Sequence, residues 1–317
     1  MNKLKCGSFF AGVGGIDLDF KQVCDTVYAN EYNPKPVETF ESNFNLKADI
    51  RDIREVKASE IPDFDILLAG FPCQAFSIAG YRQGFDDQKG RGNLFFEIER
   101  IILEKKPSVV FLENVKNLVS HDKGNTFKVI LQKLHDEGYF VKHQVLNTMT
   151  HGNTPQNRER IYIVGFLDKN HYEKFEFPQK IELKTQISDI VDFENKVDNK
   201  YYYTKDNFKH FDILSEQVSN SKNIYQWRRR YVRENKSNVC PTLTANCGTG
   251  GHNVPIIYTK HGIRKLTPQE CFKFQGFDKD FVLPNQANSH LYKQAGNSVS
   301  VTVIKRIAKQ ILKNLIL

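Results

Sequence analysis

Short, unbroken apolar runs closed by turn residues recur through the first half of this chain, and between them lie segments whose apolar residues return at every third or fourth position. The first texture fits strands buried on both faces, the second amphipathic helices that cover them. Strands are predicted over residues 5–10, 26–30, 66–69, 109–113, 143–147 and 160–166, and helices over 93–105 and 126–137. Gly138 follows the second helix, where a left-handed cap costs little. This alternation predicts an α/β fold with a mostly parallel sheet. After Phe177-Pro178 lysine, asparagine, tyrosine and aspartate become common and the spacing weakens, so a smaller irregular domain is expected over 182–288. Residues 301–312 return to helical spacing and are expected to pack back on the first domain, which then comprises 1–181 and 289–317.

A chain of 317 residues has material for one large domain and a smaller one. Lysine and arginine total 45 against 37 acids, a net charge of +8 that suits a polyanionic partner and is also compatible with an ordinary solvated surface. Placement of the charge favours the former. Trp227-Arg228-Arg229-Arg230-Tyr231-Val232-Arg233 puts four arginines and two aromatics within seven residues, a mixture that holds phosphates and stacks on bases. Six scattered cysteines form no CxxC pair, so neither a metal site nor a disulfide framework is expected, and the setting should be reducing and cytoplasmic. No stretch approaches the roughly 18 apolar residues of a membrane span.

Candidate chemistry gathers where strands end. One run finishes in Gly70-Phe71-Pro72-Cys73-Gln74 and another in Glu113-Asn114-Val115, so a thiol and a carboxyl leave strands at the edge where open α/β sheets bind ligands. Near the start, Phe10-Ala11-Gly12-Val13-Gly14-Gly15 takes a strand through glycines toward a helix, whose N-terminal amides could meet an anion. The same turn fits a structural βα connection or another nucleotide site, but its spacing is not that of a dinucleotide fingerprint. Glu31, 19 residues after Gly12, stands where an acid accepts from ribose hydroxyls; Tyr32 could stack on a purine, and Asp49, before Ile50, could accept from an adenine amine. Together they outline a site for an adenosine with a carboxylate tail. Residues 79–92, with four glycines, have the composition of a mobile lid, though also of an ordinary loop.

With these blocks in view, the chain resembles the DNA cytosine-5 methyltransferases of bacterial restriction-modification systems along essentially its whole length. The resemblance rests on the glycine turn, Asn30-Glu31, Gly70 to Gln74, Glu113-Asn114-Val115, Gln156-Asn157-Arg158-Glu159-Arg160, Arg264 to Cys271 and Gly296-Asn297-Ser298-Val299, in the family's order. It implies a Rossmann-like domain dependent on S-adenosyl-L-methionine, with S-adenosyl-L-homocysteine as product, and a target-recognition domain whose reading loop spans about 225–255. It further implies Cys73 as nucleophile toward carbon 6 of a flipped cytosine, Glu113 as the carboxyl at ring nitrogen 3 and the amine, Arg160 at the cytosine carbonyl and Arg158 bracing the catalytic loop or a phosphate. Arg158 and Arg160, two apart in an extended segment, are expected on one face. Phe10, Ala11, Gly12, Gly14, Gly15, Glu31, Tyr32, Asp49, Ile50, Gly70, Pro72, Asn297, Ser298 and Val299 are the expected cofactor residues. Gln74, Ser77, Arg82, Arg228, Arg229, Arg230, Arg233, Thr242, Gly250 and Gly251 are the expected DNA contacts. The implied partners are double-stranded DNA, with no metal or membrane, and a cognate restriction endonuclease that acts without stable complex; a monomer is expected. A transfer-RNA methyltransferase on the same scaffold and a non-catalytic DNA-binding relative are the alternatives.

Overall fold

The computed structural model describes residues 3–22, 24–72, 94–235, 237–250 and 252–315. Cys73, Gln74, Ser77, Arg82 and Gly251, with the segment 79–92, lie outside the described residues. The chain divides into two compact units, residues 1–146, 159–178 and 304–317 in one and 147–158 and 179–303 in the other. By contact, 147–158, 179–181 and 289–303 therefore group with the second unit, unlike the functional division expected from sequence.

The first unit is built on β1 (Leu4–Phe9), β2 (Cys24–Asn30), β3 (Ile66–Ala69), β4 (Val109–Val115), β5 (Phe140–Asn147) and β6 (Glu159–Phe166). They lie in the order β2-β1-β3-β4-β6-β5. The β1–β2, β1–β3 and β3–β4 pairs are parallel and β4–β6 is antiparallel. Ile66–Ala69 and the first four residues of β4 are fully buried, which is why their runs carry no polar interruption. Helix Leu94–Lys105 supplies Phe95, Ile98, Ile101 and Ile102, and helix Asn125–Asp136 supplies Phe127, Ile130 and Leu134, to one core with Leu67, Val110 and Leu112. Those spacings keep each apolar set on one helical face.

Register decides where the chemistry emerges. Phe9 pairs with Asn30 and Ala69, and Ala69 with Leu112, so β1, β2, β3 and the apolar part of β4 end level with one another. The next residues, Phe10, Glu31, Gly70 and Glu113, leave the apolar sheet at one edge. Because β6 runs the opposite way it begins at that edge, with Arg160 opposite Val115.

Cys6 and Cys24, in a chain expected to carry no disulfide framework, are instead joined to each other. Register is again the cause. Leu4 faces Cys24 across β1 and β2, so Cys6 lies diagonally opposite on the same side of the sheet, with the two Cα atoms 5.9 Å apart.

The second unit, irregular over much of its length, holds an antiparallel sheet of β7 (Ile224–Arg228), β8 (Val232–Glu234), β9 (His252–Thr259) and β10 (Gly262–Lys265), ordered β10-β9-β7-β8. Tyr225, Trp227, Val254, Ile256 and Ile263 alternate along these strands and pack with Leu214 and Val218 in a core of their own. Below it, buried Arg264 donates to both carboxylate oxygens of Glu270 at 2.8 and 2.7 Å, while Glu270 also accepts from the Thr267 amide at the start of helix Pro268–Phe274. One carboxylate thus both neutralises a buried guanidinium and caps a helix.

Candidate active site

At the end of β1 the chain turns through residues in the left-handed region: Phe10, Gly12 and Gly14 have φ of 53°, 57° and 82°. Gly14 also needs the missing side chain, since a Cβ there would sit 2.2 Å from the Phe44 ring. The Gly12 amide donates to Glu31 Oε2 at 3.1 Å and the Asn33 amide to Oε1 at 2.9 Å, so Glu31 holds the turn from its neighbouring strand. Burial pushes the Glu31 carboxyl up, against the lowering effect of these two amides. The helix expected after the glycines is one turn, Asp17–Phe20, and carries two acids, so no long helix dipole is available to an anion there. The backbone amides of the turn remain. Beneath it Asp17 is fully buried, accepts from Ser8 Oγ at 2.9 Å and Thr26 Oγ1 at 3.2 Å, and is pushed up to about 6 by desolvation.

Asp49 is drawn to the end of β2 by its amide, which donates to the Ala29 carbonyl at 2.8 Å, and by its carbonyl, which accepts from the Glu31 amide at 3.1 Å. Its carboxylate accepts from Arg51 Nη2 at 2.6 Å and from Tyr28 Oη at 2.9 Å, while Arg51 Nη1 reaches Glu60 at 2.7 Å. The guanidinium holds Asp49 below the usual carboxylate range. This network was missed in the sequence, although the acid and base flanking Ile50 were a readable cue. Tyr32 and Ile50 leave 66% and 59% of their surface in solvent.

β3 delivers Gly70, Phe71 and Pro72, immediately before Cys73. The Phe71 carbonyl accepts from Asn114 Nδ2 at 2.8 Å, so a buried amide on β4 fixes the backbone leading to the thiol. Asn114 carried no assigned role in the sequence; an amide directly after a carboxylate at a strand end was the available signal. Glu113 is 7% exposed, and its Oε1 lies 3.1 Å from Arg160 Nε. The pairing follows from register, because Glu113 is two residues from Val115, the residue opposite Arg160. Arg160 Nη1 donates to the Glu159 carbonyl at 2.8 Å, which further fixes the guanidinium.

Arg158 does not join this pair, contrary to the expectation of a shared face. It is 1% exposed and donates to the carbonyls of Leu243 at 2.9 Å, Gly296 at 3.2 Å and Ser298. The ladder changes partner around it: Gln156–Asn157 pairs in parallel with Cys240–Pro241, whereas β6 starts at Glu159. A side chain so enclosed braces backbone.

Elsewhere in the second unit, the arginine tract forms the β7–β8 hairpin. Arg228 Nη1 donates to Asn253 Oδ1 at 2.6 Å, and Gln226 Nε2 to the same oxygen at 3.1 Å, so Arg228 is engaged within the sheet. Arg229, Arg230, Tyr231 and Arg233 are exposed around the turn. Thr242 Oγ1 donates to the Asn157 carbonyl at 2.6 Å, and Gly250, with φ of 112°, has nothing within 4 Å of where a Cβ would stand. Asn297 is exposed, while Ser298 and Val299 are buried. Burial pushes the Cys271 thiol well up, as suits an unreactive cysteine. Among the described residues there is no group of three metal-ligating side chains and no helix long and apolar enough to cross a membrane.

Solved structures share this fold. The S. pombe Dnmt2 methyltransferase superposes with a TM-score of 0.77 over 99% of both chains at 18% identity, and a putative DNA modification methyltransferase of an E. coli prophage with 0.72 over 99% of this chain and 100% of that one at 19%. Sequence relatives are nearer. The chain is 59% identical to the Type II methyltransferase M.Bsp6I of Bacillus sp. (strain RFL6) over 99% of its length and 100% of the relative's. It is 43% identical to M.HaeII of Haemophilus aegyptius over 99% and 95%, and 38% identical to M.HhaI of Haemophilus parahaemolyticus over 95% and 92%. Residues 4–313 match the profile of the C-5 cytosine-specific DNA methylases. The sequence matches along nearly the whole chain, which belongs to the C-5 cytosine-specific DNA methylase family and is a DNA cytosine-5 methyltransferase.

Proposed function

We propose that this enzyme methylates carbon 5 of a cytosine swung out of a short, specific duplex sequence, through a transient bond between Cys73 Sγ and carbon 6. The observation that carries the reading is the buried Glu113–Arg160 pair at the edge where β3 hands the chain to Pro72 and Cys73. Thiolate addition forms the sulfur–carbon bond and shifts the 5,6 electron pair into the ring, so that nitrogen 3 takes the proton of the Glu113 carboxyl, which is left as a carboxylate beside Arg160, and carbon 5 becomes an enamine carbon. Glu113 accepts from the exocyclic amine and holds the proton at nitrogen 3; Arg160 orients Glu113 and faces the ring carbonyl where charge grows. S-adenosyl-L-methionine, when bound, supplies the electrophilic methyl group. Water then takes the carbon 5 proton, the freed electron pair reforms the 5,6 double bond, Cys73 leaves as thiolate and nitrogen 3 returns its proton to Glu113. Extruding the base costs a few kcal/mol, and closed contacts on the DNA must offset it.

The first unit suits that cofactor. Each Glu31 oxygen already takes one amide and retains a lone pair for a ribose hydroxyl, Tyr32 and Ile50 offer the exposed apolar surface a purine would cover, and Asp49 can accept from its amine. Phe10 to Gly15, Gly70 and Pro72 line that edge, and Asn297, Ser298 and Val299 are assigned to the cofactor by resemblance. Gln74, Ser77, Arg82, Arg229, Arg230, Arg233, Thr242, Gly250 and Gly251 are assigned to DNA. The enzyme is read as a cytoplasmic monomer that protects host DNA from a cognate endonuclease, a role supported by relatives named Type II methyltransferases. The test is a duplex with 5-fluorocytosine at the target, located first by methylating a plasmid library and sequencing after bisulfite conversion. Supplied with S-adenosyl-L-methionine, such a duplex should become covalently trapped on the wild type and not on Cys73→Ser, which should still bind DNA. Unchanged methyl transfer by Cys73→Ser refutes the nucleophile.

A further inference from the structure

Three consecutive residues hold the segment that starts at Cys240. Gln156 Oε1 accepts from the Leu243 amide at 3.2 Å, the Asn157 carbonyl accepts from Thr242 Oγ1 at 2.6 Å, and Arg158 Nη1 donates to the Leu243 carbonyl at 2.9 Å. Arg158 Nη2 meanwhile reaches the Gly296 and Ser298 carbonyls at the end of helix Asn288–Asn297. That helix end presses on the same segment from the other side: a Cβ on Gly296 would lie 2.1 Å from the Thr244 carbonyl carbon and oxygen. Gln275 joins in, its Nε2 donating to the Ala295 carbonyl at 2.6 Å and its Oε1 accepting from Gln156 at 3.2 Å. Residues 242–244 are therefore seated between a buried guanidinium and a glycine, and both faces of that seat meet at Arg158.

We propose that Arg158 is the positioning residue for target reading, setting where the Thr242–Leu243 segment stands and hence which base edges it meets, without itself touching DNA. The proposal rests on the reading of that segment as a DNA contact. A planar guanidinium suits the task because its fixed fork spans carbonyls from two stretches of chain, whereas a lysine carries the charge on one point and cannot hold both. Base readout depends on placement to a fraction of an ångström, so a loosened segment loses discrimination before it loses phosphate affinity.

The test compares wild type with Arg158→Lys on the cognate duplex and on duplexes changed at one base pair, as a ratio of kcat/KM values. Losing one charge-assisted hydrogen bond should cut that ratio on the order of tenfold. A variant that is merely less folded loses rate on both duplexes equally and keeps the ratio, and that result overturns the proposal. Hydrogen exchange on the unmodified enzyme without DNA gives a second measurement. The Leu243 amide should be protected there, and exchange as fast as in an exposed loop also overturns it. A wild type that methylates no duplex would instead remove the functional reading, while the exchange experiment would still report on the clamp.

Discussion

The ion pair between Glu113 and Arg160 makes the sharpest claim about this enzyme. Its side chains are 9% and 13% exposed, and the atoms are 3.1 Å apart. At an effective dielectric constant of about 20 the attraction is about 5 kcal/mol before desolvation is subtracted. Losing one partner should therefore cost about 3 kcal/mol of folding stability, since the other charge is left buried. Glu113→Gln, Arg160→Gln and the double variant form a cycle. Each single change should lower stability in urea, and the double variant should be less destabilised than the sum, with a coupling of roughly 1–3 kcal/mol. Each single variant should also lose about 100-fold or more in single-turnover methyl transfer, because charge at the ring is no longer balanced. Stability effects that simply add would show that the two side chains do not interact in the folded enzyme, and the register argument that joins them would fall.

Three further outcomes follow from other parts of the structure. Arg229→Ala with Arg230→Ala should weaken DNA binding across all sequences and flatten the plot of log affinity against log salt by about 0.9 for each phosphate that the variant leaves unneutralised; an unchanged slope would remove the hairpin from the DNA surface. Non-reducing mass spectrometry should find Cys6 and Cys24 in one cross-linked peptide, and reducing that link, which closes a separation of 18 residues, should lower stability by about 3 kcal/mol; two free thiols in the folded, unreduced protein would contradict the pairing. Asp17 has a folded value of about 6 against 3.8 for the free side chain, so the folded state holds its proton longer than the unfolded chain does. Its contribution is complete below about 3.8 and declines as pH rises to about 6, a loss of roughly 2–3 kcal/mol. Asp17→Asn should therefore gain stability relative to wild type across that window, by denaturation at pH 4 and pH 7, and a pH-independent difference would exclude the linkage.

Much of the first unit could be read before any coordinates, because strands buried on both faces have to be unbroken apolar runs and their ends must carry whatever touches a ligand. The runs at 66–69 and 109–113 thus placed the ends of β3 and β4, with Pro72 and Glu113, at one edge from the apolar pattern alone, and the weakly periodic second half hid its small sheet for the converse reason. Short strands with one solvated face leave little pattern. Partners across the fold were not legible. Whether Arg158 faced Arg160's site, whether Cys6 met Cys24 and whether Asn114 held the backbone at Phe71 all depended on register, which a linear spacing of two, or of 18, leaves open. Local chemistry announces which side chains are available, and pairing between distant strands settles which of them touch, since a shift of one residue in a strand sends every side chain to the opposite face.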